Sequence, residues 1–248
     1  MSGHSKWSTI KRKKQVEDAK RGKLFTKLAR EITAAAREGG DPETNFKLRL
    51  AVDRARTANM PKDNIERAVK RGTGELKGQE LAEVHYEGYG PNGVAMLIQV
   101  LTDNRNRTVA DVRRVLSKHG GNLGAAGCVA WLFDLKGYIT IEVSEQDAEE
   151  LALLAIEAGA EDVETDGHLV EIYTHPASLR MVKEALQRQG FAGESQLSMI
   201  PRSVTGLKRE KTLQTMRLID ALEELEDVRQ VHSNLDISDE MMMEYEAA

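Results

Sequence analysis

Lys11, Arg12, Lys13 and Lys14 form an unbroken basic run in SKWSTIKRKKQ, four residues beyond a tryptophan, Trp7. Four positive charges so close together repel one another, and solvent, salt or phosphate must offset them. With Lys6, they are suited to phosphate contacts. Trp7 offers a flat π-face on which a base could stack, an interaction typically worth about 1–3 kcal/mol. The alternative for Trp7 is packing, as a plug that fixes the helical segment to the rest of the chain. Arg21 and Lys23 carry the positive charge onward.

Two further segments are candidates for the same chemistry. In TDNRNRTVADVRRVLSKHGGN, burial of Val109, Val112 and Leu116 on one side of a helix turns Arg107, Arg114 and Lys118 the other way, with Arg105 at its start. Asp111 is spaced to pair with Arg107 or Arg114, which is the purely structural alternative. In MPKDNIERAVKRGTG, Lys62, Arg67, Lys70 and Arg71 extend the positive surface. Asp63 and Glu66 there suit any helix start, so most of that segment reads as architecture.

The charge is divided unevenly. The formal charge is -5, yet residues 1–77 carry 20 Lys and Arg against 10 Asp and Glu, whereas the remainder carries 15 against 30. A +10 module attached to a -15 body is the asymmetry of a polyanion-binding element. Other chemistries lack their residues. Gly88, Gly90 and Gly93 spell GxGxxG, but Pro91 interrupts it and a strand follows, so a hairpin turn is expected and not a nucleotide site. The six histidines are scattered, and Cys128 is the only cysteine, which removes intrachain disulfides and cysteine zinc clusters. No catalytic residue, metal or cofactor is expected. The longest apolar run, VAMLIQVL, is far short of the roughly 20 residues of a membrane span, and no secretion signal opens the chain, so a cytoplasmic protein is expected.

These residues must be positioned by small modules, since only 4% of the chain is aromatic. Leu24, Leu28 and Ile32 mark a helix from Lys23 to the Gly39-Gly40 break. A second helix is expected from Asp41 as N-cap with Pro42 at its first position, and a third from Pro61 to Gly72. VHYEGYGPNGVAMLIQVL reads as a β-hairpin, followed by a helix near 106–118, a loop HGGNLGAAG and a strand CVAWLFD. Residues 137–201 run βαββαβ, the ferredoxin-like order, and a helix and a strand then complete the interrupted module. The expected fold is multi-domain α+β: a basic three-helix domain at 1–77, a discontinuous ferredoxin-like domain at 78–135 and 206–248, and a second at 136–205 inserted within it.

GHSKWSTIKRKK, NMPKDNIERAVKRGTG, YEGYGPNGVAMLIQVLTDNRNRT and GGNLGAAGCVAWLF, in that order from residue 3 to about 235, resemble the YebC-type family, also called PmpR-type. The resemblance implies a helical N-terminal domain with two α+β domains, one inserted in the other, and no enzymatic activity. Bacterial members are described as probable transcriptional regulators that bind DNA. Others are implicated in translation at the ribosome, and mitochondrial members activate translation of a cytochrome oxidase subunit. Lys6, Trp7, Lys11, Arg12 and Lys14 match the family's opening motif, and Asn104, Arg105, Arg107 and Thr108 a second one.

The partner is therefore expected to be nucleic acid, either promoter DNA or ribosomal or transfer RNA, with the ribosome as a candidate assembly. Against promoter DNA, no helix-turn-helix is evident. A basic extension with one aromatic suits irregular RNA, whose bases are exposed. A protein scaffold whose basic arm engages an acidic partner is the alternative from another class.

Overall fold

The structure, a computed structural model, describes Trp7, residues 18–78 and residues 80–247. It is multi-domain α+β and divides into two compact units. One holds the described residues up to Phe133 together with those from Pro201 onward, and the other is Asp134–Ile200.

The first unit begins with α1 (Asp18–Ala35), α2 (Phe46–Thr57) and α3 (Lys62–Gly72). Leu28 and Ile32 meet Leu48, Val52, Ala55, Ile65 and Ala68 in a core of their own. Each large side chain buried there contributes roughly 1.5–3 kcal/mol. α3 lies so close to α1 that a Cβ on Gly72 would stand 2.5 Å from the Thr33 carbonyl oxygen and from Ala36 Cβ. The second helix starts later than expected. Asp41 accepts from the Glu43 N–H at 2.9 Å within a turn, and Asn45 is the N-cap, accepting from the Leu48 N–H at 3.0 Å. Asn45 prevails because its buried amide also donates to the carbonyls of Ala35 and Gly39, both at 2.8 Å, satisfying the end of the preceding helix.

β1 (Ala82–Tyr89) and β2 (Ala95–Thr102) form the expected antiparallel hairpin, with the glycine-rich stretch as its turn: the Gly90 N–H donates to the Val94 carbonyl at 2.8 Å. α4 (Arg105–Lys118) and the short β3 (Asn122–Leu123) follow. Of CVAWLFD only Phe133 and Asp134 are strand; residues 128–132 are not. The Glu87 carboxylate accepts the N–H groups of Gly127, Val129 and Ala130 at 2.6, 2.7 and 2.8 Å, drawing that backbone into a turn before pairing resumes at Phe133.

The second unit is built from β4 (Phe133–Glu142), α5 (Glu145–Glu157), β5 (Asp162–Asp166), β6 (Leu169–Thr174), α6 (Leu179–Arg188) and β7 (Glu194–Pro201). The strand order β5-β6-β4-β7 is that of the ferredoxin-like arrangement. Ile139 opposite Ile172 and Ile141 opposite Val170 put one apolar face under the helices.

The chain then re-enters the first unit through β8 (Thr205–Gly206), α7 (Arg209–Glu223), β9 (Val228–Ser233), β10 (Leu235–Asp236) and α8 (Asp239–Ala247). β9 joins the hairpin, giving the order β3-β1-β2-β9 with the hairpin at the centre. Alternate residues Met96, Ile98 and Val100 face Val112 and Leu116 of α4 and Met216, Ile219 and Leu222 of α7. Trp7 belongs to this core.

Candidate nucleic-acid interface

Lys6, Lys11, Arg12, Lys13 and Lys14 lie outside the described residues. Trp7 is only 1% exposed, and its ring meets Tyr245 edge-on at 5.8 Å. The base-stacking reading of Trp7 is therefore corrected. An indole buried in the core that α4, α7 and the sheet share, with Tyr245 against its ring, has no face to offer, and its burial serves packing. The tryptophan that does face solvent is Trp131, 67% exposed, with its Nε1–H held by the Cys128 carbonyl at 3.1 Å.

The remaining candidates divide by how their charge is used. Arg21 and Lys23 are exposed on the first turns of α1. Arg105 is exposed at the start of α4, where Asn104 caps the helix by accepting from the Arg107 N–H at 3.1 Å. Arg114 pairs with Asp111 at 2.9 Å, as the spacing allowed. Arg107 does not pair with Asp111. It reaches back to Asp103 at 2.7 Å and across to Asp227 at 2.9 Å, so much of its charge is engaged within the fold.

Asp227 is the joint between the helices and the sheet. Its carboxylate meets Arg30 of α1 at 2.5 Å and accepts from the hydroxyls of Thr108 at 2.5 Å and Thr102 at 3.2 Å, besides Arg107. Burial alone would raise its pKa. The Thr108 hydroxyl and the two guanidiniums outweigh that and hold it at about 2. Nearby, the Lys27 ammonium donates to the carbonyls of Glu223 and Val228, and Arg37 donates to the Leu81 carbonyl at 2.6 Å. Glu31, also buried, pairs with Arg54 at 2.8 Å and Arg229 at 3.5 Å. Several basic residues that sequence alone cannot sort are thus structural, because their partners lie up to some 200 positions away.

Beside this joint is a cleft of about 550 Å³ lined by α1, α3, Lys77, Gly78 and Leu81. Arg30, Arg67, Arg71 and Lys77 are its cations and Glu226 its one carboxylate. Arg30 answers Glu226 at 3.2 Å as well as Asp227. Arg67, Arg71 and Lys77 are exposed and have no carboxylate within 4.0 Å among the described residues. Phe25, Met60 and Leu81 supply apolar wall. Asn64, Arg67 and Arg71 occupy i, i+3 and i+7 of α3, one face of the helix, while Ile65 and Ala68 enter the core. That spacing was visible in the sequence. Lys77, outside any periodic segment, was not flagged by it.

Among the described residues, no group of three or more His, Cys, Asp or Glu side chains could hold a metal, and no helix is long and apolar enough to cross a membrane.

Two family models match the chain: the TACO1/YebC protein N-terminal domain over residues 5–75, and the TACO1/YebC second and third domain over residues 81–235. A probable transcriptional regulatory protein of Desulforapulum autotrophicum is 54% identical over 243 residues, covering 97% of this chain and 98% of the relative. One from Acidithiobacillus ferrooxidans is 54% identical over 249 residues, covering 100% and 99%. Among solved structures, a conserved hypothetical protein from Aquifex aeolicus is similar at a TM-score of 0.81 with 50% identity, over 90% of this chain and 93% of that one.

Proposed function

We propose that this chain, which belongs to the TACO1/YebC family, acts without catalysis as a nucleic-acid-binding regulator of gene expression in the cytoplasm. Residues 1–77 form the binding module in this reading, through the basic arm of Lys6 and Lys11 to Lys14 and the cationic cleft. The observation that carries it is the convergence of Arg67, Arg71 and Lys77 on one concavity with no acid partner among the described residues. This occurs in the part of the chain whose formal charge is +10. A phosphate backbone offsets that mutual repulsion, and the acidic remainder repels it.

Affinity comes from counterion release. Neutralising about six phosphates makes log K fall with log[salt] at a slope of roughly -4 to -5. The relatives' name points to transcription and so to DNA. Ribosomal or transfer RNA is the other target class, and it suits a basic arm with no helix-turn-helix beside it.

Crosslinking in living cells, followed by sequencing of the recovered nucleic acid, tests the reading. A variant with Lys11, Arg12, Lys13 and Lys14 replaced by Ala serves as the comparison. The expected result is an enriched set of sequences that is depleted in the variant. Promoter DNA would assign transcriptional control, and ribosomal or transfer RNA translational control. Recovery of neither would overturn the function.

A further inference from the structure

We propose that the cleft lined by α1, α3, Lys77, Gly78 and Leu81 takes one unpaired nucleotide of a single-stranded nucleic acid, with its phosphate on Arg67, Arg71 and Lys77 and its base against Phe25 and Met60. This rests on the nucleic-acid reading above and narrows it from any polyanion to strands with unstacked bases.

The charge of the cleft points to phosphate. Arg30, on the opposite wall, is held by Asp227 at 2.5 Å and Glu226 at 3.2 Å. The three cations facing it have no such partner among the described residues. They are not spread over a convex surface, where water would screen each one separately. Arg67 and Arg71 are one helical turn apart, and Lys77 approaches from the segment beyond the end of the same helix. A phosphodiester, accepting through its unesterified oxygens, is of the right charge and size to bridge two guanidiniums and an ammonium.

The shape and lining of the cleft point to a single nucleotide. A volume of about 550 Å³ lies within the usual range of small-ligand sites, on the order of 300–1,000 Å³. It admits a nucleotide, whereas a base stacked inside a duplex cannot reach its wall. Half-buried Phe25, with the edges of the buried Met60 and Leu81, gives the cleft an apolar wall beside its cations. Phe25 offers the aromatic surface on which an unpaired base of any identity can lie. The Asn64 amide, on the same face of α3 as Arg67, is a donor and acceptor for a base edge. Duplex DNA keeps its bases stacked inside and cannot use that combination, so the cleft favours looped or single-stranded RNA over promoter duplex.

Binding of the full chain to a labelled single-stranded oligonucleotide and to its duplex, over a range of salt, tests this. R67A/R71A is compared with K62A/K70A, which removes the same charge from α3 outside the cleft. Wild type is expected to prefer the single strand. R67A/R71A should lose that preference, with a salt slope shallower by about 1.4, the equivalent of two single-strand phosphate contacts. K62A/K70A should keep the preference. Unchanged affinity and slope in R67A/R71A would overturn the cleft site while leaving the wider function standing. Failure of wild type to bind either nucleic acid would remove both. A nucleoside 5′-monophosphate should compete only weakly, and competition as strong as that of the strand would make the ligand a free nucleotide. Displacement of the strand by an acidic peptide and not by polyphosphate would also overturn the proposal.

Discussion

The guanidinium of Arg30 and the carboxylate of Asp227 meet at 2.5 Å where the helical layer joins the sheet, and the same carboxylate holds Arg107 at 2.9 Å. One buried acid thus fixes α1 and α4 relative to each other. It also sets the wall of the cleft that Arg30 shares with Arg67 and Arg71.

Asp227→Asn removes the charge and leaves two guanidiniums facing a neutral amide. Breaking a buried pair on one side costs roughly 3 kcal/mol or more, expected as a Tm lower by about 6–12 °C for the unit that contains it. The pH dependence has a definite sign. The folded pKa of about 2 lies below the ordinary carboxylate value, so Asp227 stabilises the fold above the unfolded pKa and that contribution is lost as pH falls towards 2. Denaturation followed at stepped pH should show wild type losing stability below about pH 4 and the Asn variant losing less.

Trp7 and Trp131 should report opposite environments. With Trp131 replaced by Phe, emission from Trp7 should be blue-shifted and protected from iodide. With Trp7 replaced by Phe, emission from Trp131 should be quenched readily, as 1% against 67% exposure requires. Trp7→Ala should cost roughly 3–5 kcal/mol through the cavity it leaves beside Tyr245. Ready quenching of Trp7 would return it to the surface and restore the stacking role.

Glu87 organises the loop before Trp131. Burial opposes its charge, but three backbone N–H donors and His85 hold its pKa below the ordinary range. Glu87→Ala strands those donors, each worth about 1.5–3 kcal/mol when bonded to a charged group. The expected result is faster hydrogen exchange and proteolytic cleavage confined to 124–131, with α1 to α3 unaffected. Because the pKa is lowered, this contribution too disappears towards acid pH.

Local chemistry was legible in the sequence where it depended on neighbours. The hairpin turn, α4 with its buried Val112 and Leu116, and the βαββαβ order all follow from periodicity and turn residues. What sequence hid was set by distant partners. Asn45 displaced Asp41 as a cap because it also serves Ala35 and Gly39, and Glu87 turned residues 128–132 away from strand by drawing three N–H groups to itself. The same holds for the basic residues. Nothing local distinguishes Arg30, tied to Asp227, from Arg67, which faces the open cleft. Trp7 beside a basic run allowed either stacking or packing, and what decides between them, Tyr245, lies near the other end of the sequence.

The most direct test of the nucleic-acid function is the salt dependence of binding to a labelled single-stranded RNA, measured for wild type and for the variant with Lys11, Arg12, Lys13 and Lys14 replaced by Ala. Wild type is expected to give a slope of log K on log[salt] near -4 to -5, and the variant a slope shallower by about 3 with its melting profile unchanged. No binding by wild type, or the same slope in both, would contradict a grip built from these cations.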